Sequence, residues 1–194
     1  MQSAESMRPD LKSIIRLIPA GTRVLDLGCG DGTLLSALLE QKTVFARGVE
    51  VDEQNVRACI ARGLSVRHGD IEKGLADFPD QEFDFVILSQ TLAYLNRPLL
   101  VLKEMTRVGR SAIISFENAG YWKTRWRALC GDGSGTTLAS GQPRVRSITL
   151  CQFDETLRQL NLRAERSVFL SGSSRVERWA SLLAEAAVFQ VTRI

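Results

Sequence analysis

The chain has 194 residues, enough for one domain with a full hydrophobic core and short for two. With 44% hydrophobic and 24% charged residues it has the make-up of a globular protein, and no apolar run approaches the roughly 18 residues needed to span a bilayer. The formal net charge of +3 is uneven, with 14 Lys and Arg against 16 Asp and Glu in residues 1–119 and 11 against 6 in residues 120–194, a basic excess too small to point to nucleic acid without a recognised module.

The opening stretch, MQSAESMRPDLK, is polar and acidic where a secretory signal would be apolar, so a cytoplasmic protein is expected. Residues 10–18 place Leu11, Ile14, Ile15 and Ile18 at helical spacing and predict a first helix. A short apolar strand, residues 23–27, then breaks at a glycine cluster, and residues 33–40 form a helix with Leu34, Leu35, Leu38 and Leu39 inward. The unit repeats as strand 44–51, helix 54–61 closed by Gly63, and strand 64–68. Residues 83–88 are apolar almost throughout, as in a parallel strand covered on both faces. Helix 99–107, strand 111–116 and helix 121–129 continue the alternation, with Trp122 and Trp126 expected in the core.

Residues 131–147 are rich in Gly, Ser and Thr and are expected to form a flexible loop. Helix 152–160, strand 162–170 and a last strand near 187–192, returning antiparallel along the edge, complete the chain. The reading is a single α/β domain with a doubly wound, mostly parallel sheet and an antiparallel edge region. Cys29, Cys59, Cys130 and Cys151 show no CxxC spacing and are expected as reduced, unpaired thiols. No cluster has the spacing of a metal site.

The chemistry concentrates at three strand ends. Residues 24–33, VLDLGCGDGT, are a strand ending in an acidic residue, then DxGxGxG, then a helix. The glycines allow a sharp turn and close approach to a ligand. A dinucleotide fingerprint would need glycine at position 33, where Thr33 stands, and Asp26 would repel a pyrophosphate. A zwitterionic amino acid carrying a sulfonium suits that carboxylate better. Glu50, 24 residues after Asp26, is placed to accept ribose hydroxyls. Asp52, just before the next helix, reads as an N-cap, and Asp70 can accept an adenine amino group. His68, the one histidine, reads as structural.

These residues resemble the class I S-adenosylmethionine-dependent methyltransferases over residues 24–116. That likeness implies a seven-stranded Rossmann-like fold and a site made of Asp26, Gly28, Cys29, Gly30, Gly32, Glu50, Val51, Asp70 and Ile71. Ser89 and Gln90, which follow the fourth strand where related enzymes line the acceptor pocket, are expected at the cofactor site as well. More specifically, MRPDL, VLDLGCGDGTLL, GVEVDE, ACIARG, GDIEKGLADFPD, FDFVILSQTL, VLKEMTRVGR and AIISF are together similar to the MetW family of methionine biosynthesis proteins. Against that family residues 1–6 look like a flexible extension, and Arg146 stands where it usually has histidine. The resemblance implies S-adenosylmethionine or S-adenosylhomocysteine as ligand and homoserine O-acetyltransferase as partner. No catalytic residue stands out, so an accessory protein and a small-molecule methyltransferase both remain open, with an RNA or protein methyltransferase behind them.

Overall fold

The structure, a computed structural model, describes residues 7–129 and 146–194; the expected extension 1–6, Cys130 and nearly all of the expected loop 131–147 lie outside them. The apolar stripe of the first helix, α1 (Pro9–Leu17), is buried as expected, with Leu11 and Ile14 to Ile15 inward and Ile18 fully covered just past its end. Pro9 sits in the first turn, where a missing N–H costs nothing.

Strands β1 (Arg23–Leu27), β2 (Phe45–Glu50), β3 (Val66–His68), β4 (Phe83–Ser89) and β5 (Gly109–Glu117) pair in parallel in the order β3-β2-β1-β4-β5. Helices α2 (Thr33–Gln41), α3 (Glu53–Ala61) and α4 (Pro98–Val108) are the crossovers. Alternation along the strands sorts the core into two layers. Val24, Ile87 and Ile113 face α1 and α2, while Leu25, Leu27, Val86, Leu88 and Ile114 face α4 and α6 (Leu150–Gln159). Each buried Leu or Ile contributes about 1.5 to 3 kcal/mol, so both layers are needed. Because the crossovers from β1 and β4 leave to opposite faces, a cleft opens at their carboxyl ends.

The chain then adds α5 (Trp122–Leu129), α6, β6 (Leu162–Ser171), the two-residue β7 (Ser174–Arg175), α7 (Ala180–Leu183) and β8 (Ala186–Arg193). Among the described residues the sheet thus has eight strands in the order β3-β2-β1-β4-β5-β8-β6-β7, the expected seven plus the short β7. The last strand corrects one expectation. It is antiparallel, but it lies between β5 and β6 and not at the edge. Ala187, Val188, Phe189 and Val191 are all buried, and such a run needs cover on both faces and a neighbour on each side. The exposed edge falls to β7.

Two further expectations are corrected. Leu39 is 42% exposed, and Ala37 packs inward with Leu34, Leu35 and Leu38 instead. Trp122 and Trp126 are 45% and 63% exposed, so the helix face they share does not pack on the core; Tyr121, just before the helix, is the buried anchor. Helix α6 opens with a capping box, Thr149 and Gln152, which moves its start ahead of the expected residue 152. Arg107 on α4 donates to Phe78 O, Leu75 O, Glu104 and Asp80, and so ties down the connection that follows Asp70.

Candidate functional site

The glycine loop between β1 and α2 is left-handed at Gly28, Gly30 and Gly32, with φ of 70°, 56° and 78°. A Cβ would meet opposite surroundings at two of these positions. Gly32 caps α2, and a Cβ there would strike Leu64 Cδ1 and come within 2.9 Å of Cys59 Sγ, the small packed group behind the loop. At Gly30 a Cβ would meet nothing within 4 Å, so the chain leaves an open cradle there. We expect Gly32→Ala to destabilise the chain by about 1 to 3 kcal/mol through overpacking and a disfavoured φ, read as a lower urea midpoint at unchanged m.

Glu50, only 6% exposed, fastens this loop to the next. Its Oε2 accepts from Gly30 N at 2.7 Å, and its Oε1 accepts from Val51 N at 3.0 Å and Asp52 N at 2.9 Å. A carboxylate offers about four acceptor positions, so capacity remains for a ligand hydroxyl. Asp52 caps α3 as expected, accepting from Asn55 N at 2.9 Å. Asp70 caps the short 3-10 turn Ile71–Lys73 through Oδ1, which accepts from Glu72 N at 2.9 Å, leaving Oδ2 for another donor. His68 is exposed, and its Nε2 lies 2.9 Å from Val51 O; the carbonyl can only accept, so that nitrogen carries the proton.

Asp26 differs from these carboxylates. It is 2% exposed, and among the described residues its Oδ1 has no hydrogen-bond partner. Burial first, then the charge on Glu50, push its pKa from 3.8 up to about 7, while Arg8 pulls it back. A buried acceptor left without a donor is costly unless a ligand supplies one. Cys29, beside it, is a different case: burial and the Asp26 carboxylate push its thiol up, so it is no thiolate nucleophile. Among the described residues, Cys29, Cys59 and Cys151 form no disulfide.

Asp26, Gly28, Cys29, Gly30 and Ser89 line one cleft of about 860 Å³, which runs on along α1 and α2 to Glu40. Glu50 reaches it through Gly30, whereas Gly32 packs behind it. Val51, Asp70 and Ile71 stand on the adjacent strand ends outside the cleft lining; β2 and β3 are joined there by Gly69 N donating to Glu50 O at 2.9 Å. Gln90 is left-handed, at φ 56°, and lines a second cleft of about 740 Å³ with Tyr94, Glu117, Tyr121, Lys123 and Arg146. Arg146, at the expected histidine position, donates its backbone N–H to Ala93 O at 2.8 Å and a guanidinium N–H to Asn96 O at 3.0 Å.

Residues not chosen from the sequence stand between the two clefts. Asp10, 4% exposed, accepts from Ser115 Oγ at 3.0 Å, Ser89 Oγ at 3.3 Å and Arg8 Nη2 at 3.3 Å, with Gln90 Nε2 at 3.5 Å. Arg8 also donates to Ser89 Oγ at 2.8 Å and lines both clefts. A signal for Asp10 was present: four residues before Ile14, it lies on the apolar face of α1, where a charge needs partners.

The family model described as "Methionine biosynthesis protein MetW" matches residues 8–191, beginning at Arg8 itself. The chain belongs to the MetW family. A relative from Rhodopirellula baltica, named bifunctional methionine biosynthesis protein MetXA/MetW, is 38% identical over 178 residues, covering 84% of this chain and 29% of that protein. The ribosomal protein L11 methyltransferase of Neisseria meningitidis is 36% identical over 110 residues, 54% of this chain and 36% of that protein. This chain therefore spans about a third of either relative. Among solved structures, an S-adenosylmethionine-dependent methyltransferase from Archaeoglobus fulgidus aligns with a TM-score of 0.73 at 17% identity, over 98% of this chain and 95% of that one. At that identity the likeness establishes the class I methyltransferase fold alone. For a MetW-family chain the MRPDL segment now has a structural role, since it supplies Arg8 and Asp10 to the wall between the clefts. No helix among the described residues is long and apolar enough to cross a membrane.

Proposed function

We propose that this MetW-family chain binds S-adenosylmethionine or S-adenosylhomocysteine and acts in methionine biosynthesis through homoserine O-acetyltransferase. The observation that carries the ligand reading is the unpartnered Oδ1 of Asp26, buried beside the open cradle at Gly30. Asp26 would take the ammonium of the amino-acid end, and Gly28 to Gly32 would line that end of the ligand. Glu50 would take a ribose hydroxyl and Asp70 the adenine amino group, with Val51 and Ile71 beside the base. When bound, S-adenosylmethionine supplies a methyl on a sulfonium, whose transfer needs chiefly proximity and alignment.

The partner reading is supported by the relative whose name joins MetXA and MetW in one protein. Exposed Trp122 and Trp126 beside Lys123 and Arg125 add a surface of the type found at the centre of protein interfaces. The alternative, a methyltransferase acting on a small molecule, draws on the second cleft beyond Arg8.

The test has two parts. Calorimetry with S-adenosylhomocysteine should show saturable binding. The chain and homoserine O-acetyltransferase should co-elute at low ionic strength, with higher acyltransferase activity in the mixture, and Trp126→Ala together with Lys123→Ala should weaken association about tenfold or more. If the two proteins neither associate nor change activity, with or without ligand, the small-molecule methyltransferase reading takes its place. If S-adenosylhomocysteine does not bind, both fall.

A further inference from the structure

The chain has three tryptophans, and all three are exposed: Trp122 by 45%, Trp126 by 63% and Trp179 by 74%. Tryptophan is highly buried on average in folded proteins, and its large apolar area makes exposure costly. Trp122 and Trp126 belong to α5. Trp179 comes from a separate part of the chain, at the start of α7.

Trp179 caps the amino end of α7, and its carbonyl accepts from Leu182 N and Leu183 N, both at 2.9 Å. Its backbone is left-handed, at φ 58°, a conformation that costs free energy for a bulky residue and that glycine adopts freely. Burial of the ring offsets little of that cost. Leu182 and Leu183 are themselves 39% and 41% exposed, so an apolar turn is held out to water in a strained form. Such strain persists only where the surrounding structure fixes it.

Asn118, 2% exposed and just past the end of β5, does the fixing. Its Nδ2 donates to Ser181 O at 3.2 Å and to Ala184 O at 2.9 Å, while its Oδ1 accepts from Gly120 N at 2.9 Å. One buried amide thus bonds both α7 and the turn that opens α5. The two are closely packed, since a Cβ at Gly120 would stand 2.9 Å from Ser181 O. Leu182 follows Ser181, and Trp122 follows that turn, so the apolar residues of α7 adjoin those of α5. Among the described residues the exposed charges nearest the tryptophans in the chain are Lys123, Arg125, Arg175 and Arg178 against Glu177, a basic rim.

We propose that α7 and α5 form one docking surface for the protein partner, with Trp179 as an anchor, and that the matching patch on the partner is apolar at its centre and acidic at its rim. The inference rests on the partner reading above and extends it to a second element of the chain. Exposed aromatics framed by charge have the build of an interface core and its rim. A second copy of this chain would set the same basic rim against itself, whereas an acidic rim is attracted to it.

The test uses a variant that touches docking and leaves folding alone. In Trp179→Gly the relief of the left-handed φ offsets the added freedom of the unfolded chain, so the urea midpoint should stay close to the parent's and S-adenosylhomocysteine affinity should not change. Association with purified homoserine O-acetyltransferase should weaken about tenfold or more. Leu182→Ser repeats the test without altering the left-handed residue and should weaken association several-fold. Arg178→Glu should do the same and make association less sensitive to salt. Trp179→Gly binding the acyltransferase as tightly as the parent overturns the inference and leaves the partner reading intact, because the parent complex still forms. A parent chain that sediments as a dimer, split by Trp179→Gly, also overturns it, since the surface then belongs to a second copy. If the parent does not bind the acyltransferase at all, the partner reading fails and takes the inference with it.

Discussion

Asp26→Asn is expected to stabilise the unliganded chain at pH 8 and to weaken S-adenosylhomocysteine binding by more than about 100-fold. Both effects follow from one buried carboxyl whose pKa is raised from 3.8 to about 7, first by burial and then by Glu50. Below about pH 4 the group is protonated in both folded and unfolded chains and contributes nothing to the balance. Between about pH 4 and 7 the unfolded chain releases the proton while the folded chain keeps it, so stability falls as pH rises. Above about pH 7 the loss is complete, and a shift of this size corresponds to on the order of 4 kcal/mol. Asparagine removes that loss, so the gain in melting temperature should be several degrees at pH 8 and clearly smaller at pH 5. A variant equally stabilised at both pH values, or destabilised at pH 8, contradicts the assignment. The ligand ammonium needs the ionised form, so the parent's affinity should rise about tenfold from pH 6 to pH 8. The carboxylate thus destabilises the empty protein and is retained for binding.

Glu50→Ala is expected to destabilise the fold and empty the site together. It orphans three backbone N–H groups, at Gly30, Val51 and Asp52, each held by a charged acceptor. Hydrogen bonds to charged groups are worth about 1.5 to 3 kcal/mol each, and because water can reach part of the opened site we expect a loss on the order of 3 to 5 kcal/mol. The urea midpoint should fall at unchanged m, and binding should become undetectable by calorimetry. Glu50→Gln should fall between the two, since its amide oxygen can still accept from Val51 and Asp52 while its NH2 faces the Gly30 N–H. Removing the Glu50 charge also relieves Asp26, so the pH dependence of stability should move to lower pH in both variants. An unchanged midpoint in Glu50→Ala would mean that the two loops are held by something else.

The parts of this site that were legible in the sequence are the local ones. Asp26, the glycines and Glu50 lie at ends of strands that the alternation of apolar segments locates directly, and each residue type has one reason to be there. The strand order was less accessible. Whether the last strand sits at the edge or between β5 and β6 depends on pairings of residues such as Ile114 and Phe189, and no local pattern encodes them. The same holds for the wall between the clefts. Asp10 and Ser115 are 105 residues apart and meet because the first turn of α1 reaches the carboxyl end of β5. The two tryptophans of α5 failed for the same long-range reason: spacing puts them on one helix face, but whether that face meets the sheet is set by how the helix docks, which spacing does not encode.

The most direct test of the account is a crystal structure of the chain grown with S-adenosylhomocysteine. The expected electron density has the amino-acid end at Asp26, the glycine loop along it, a ribose hydroxyl on Glu50 and the adenine beside Asp70 and Ile71. Density for the ligand anywhere else, or a complex in which Oδ1 of Asp26 remains without a partner, would contradict it.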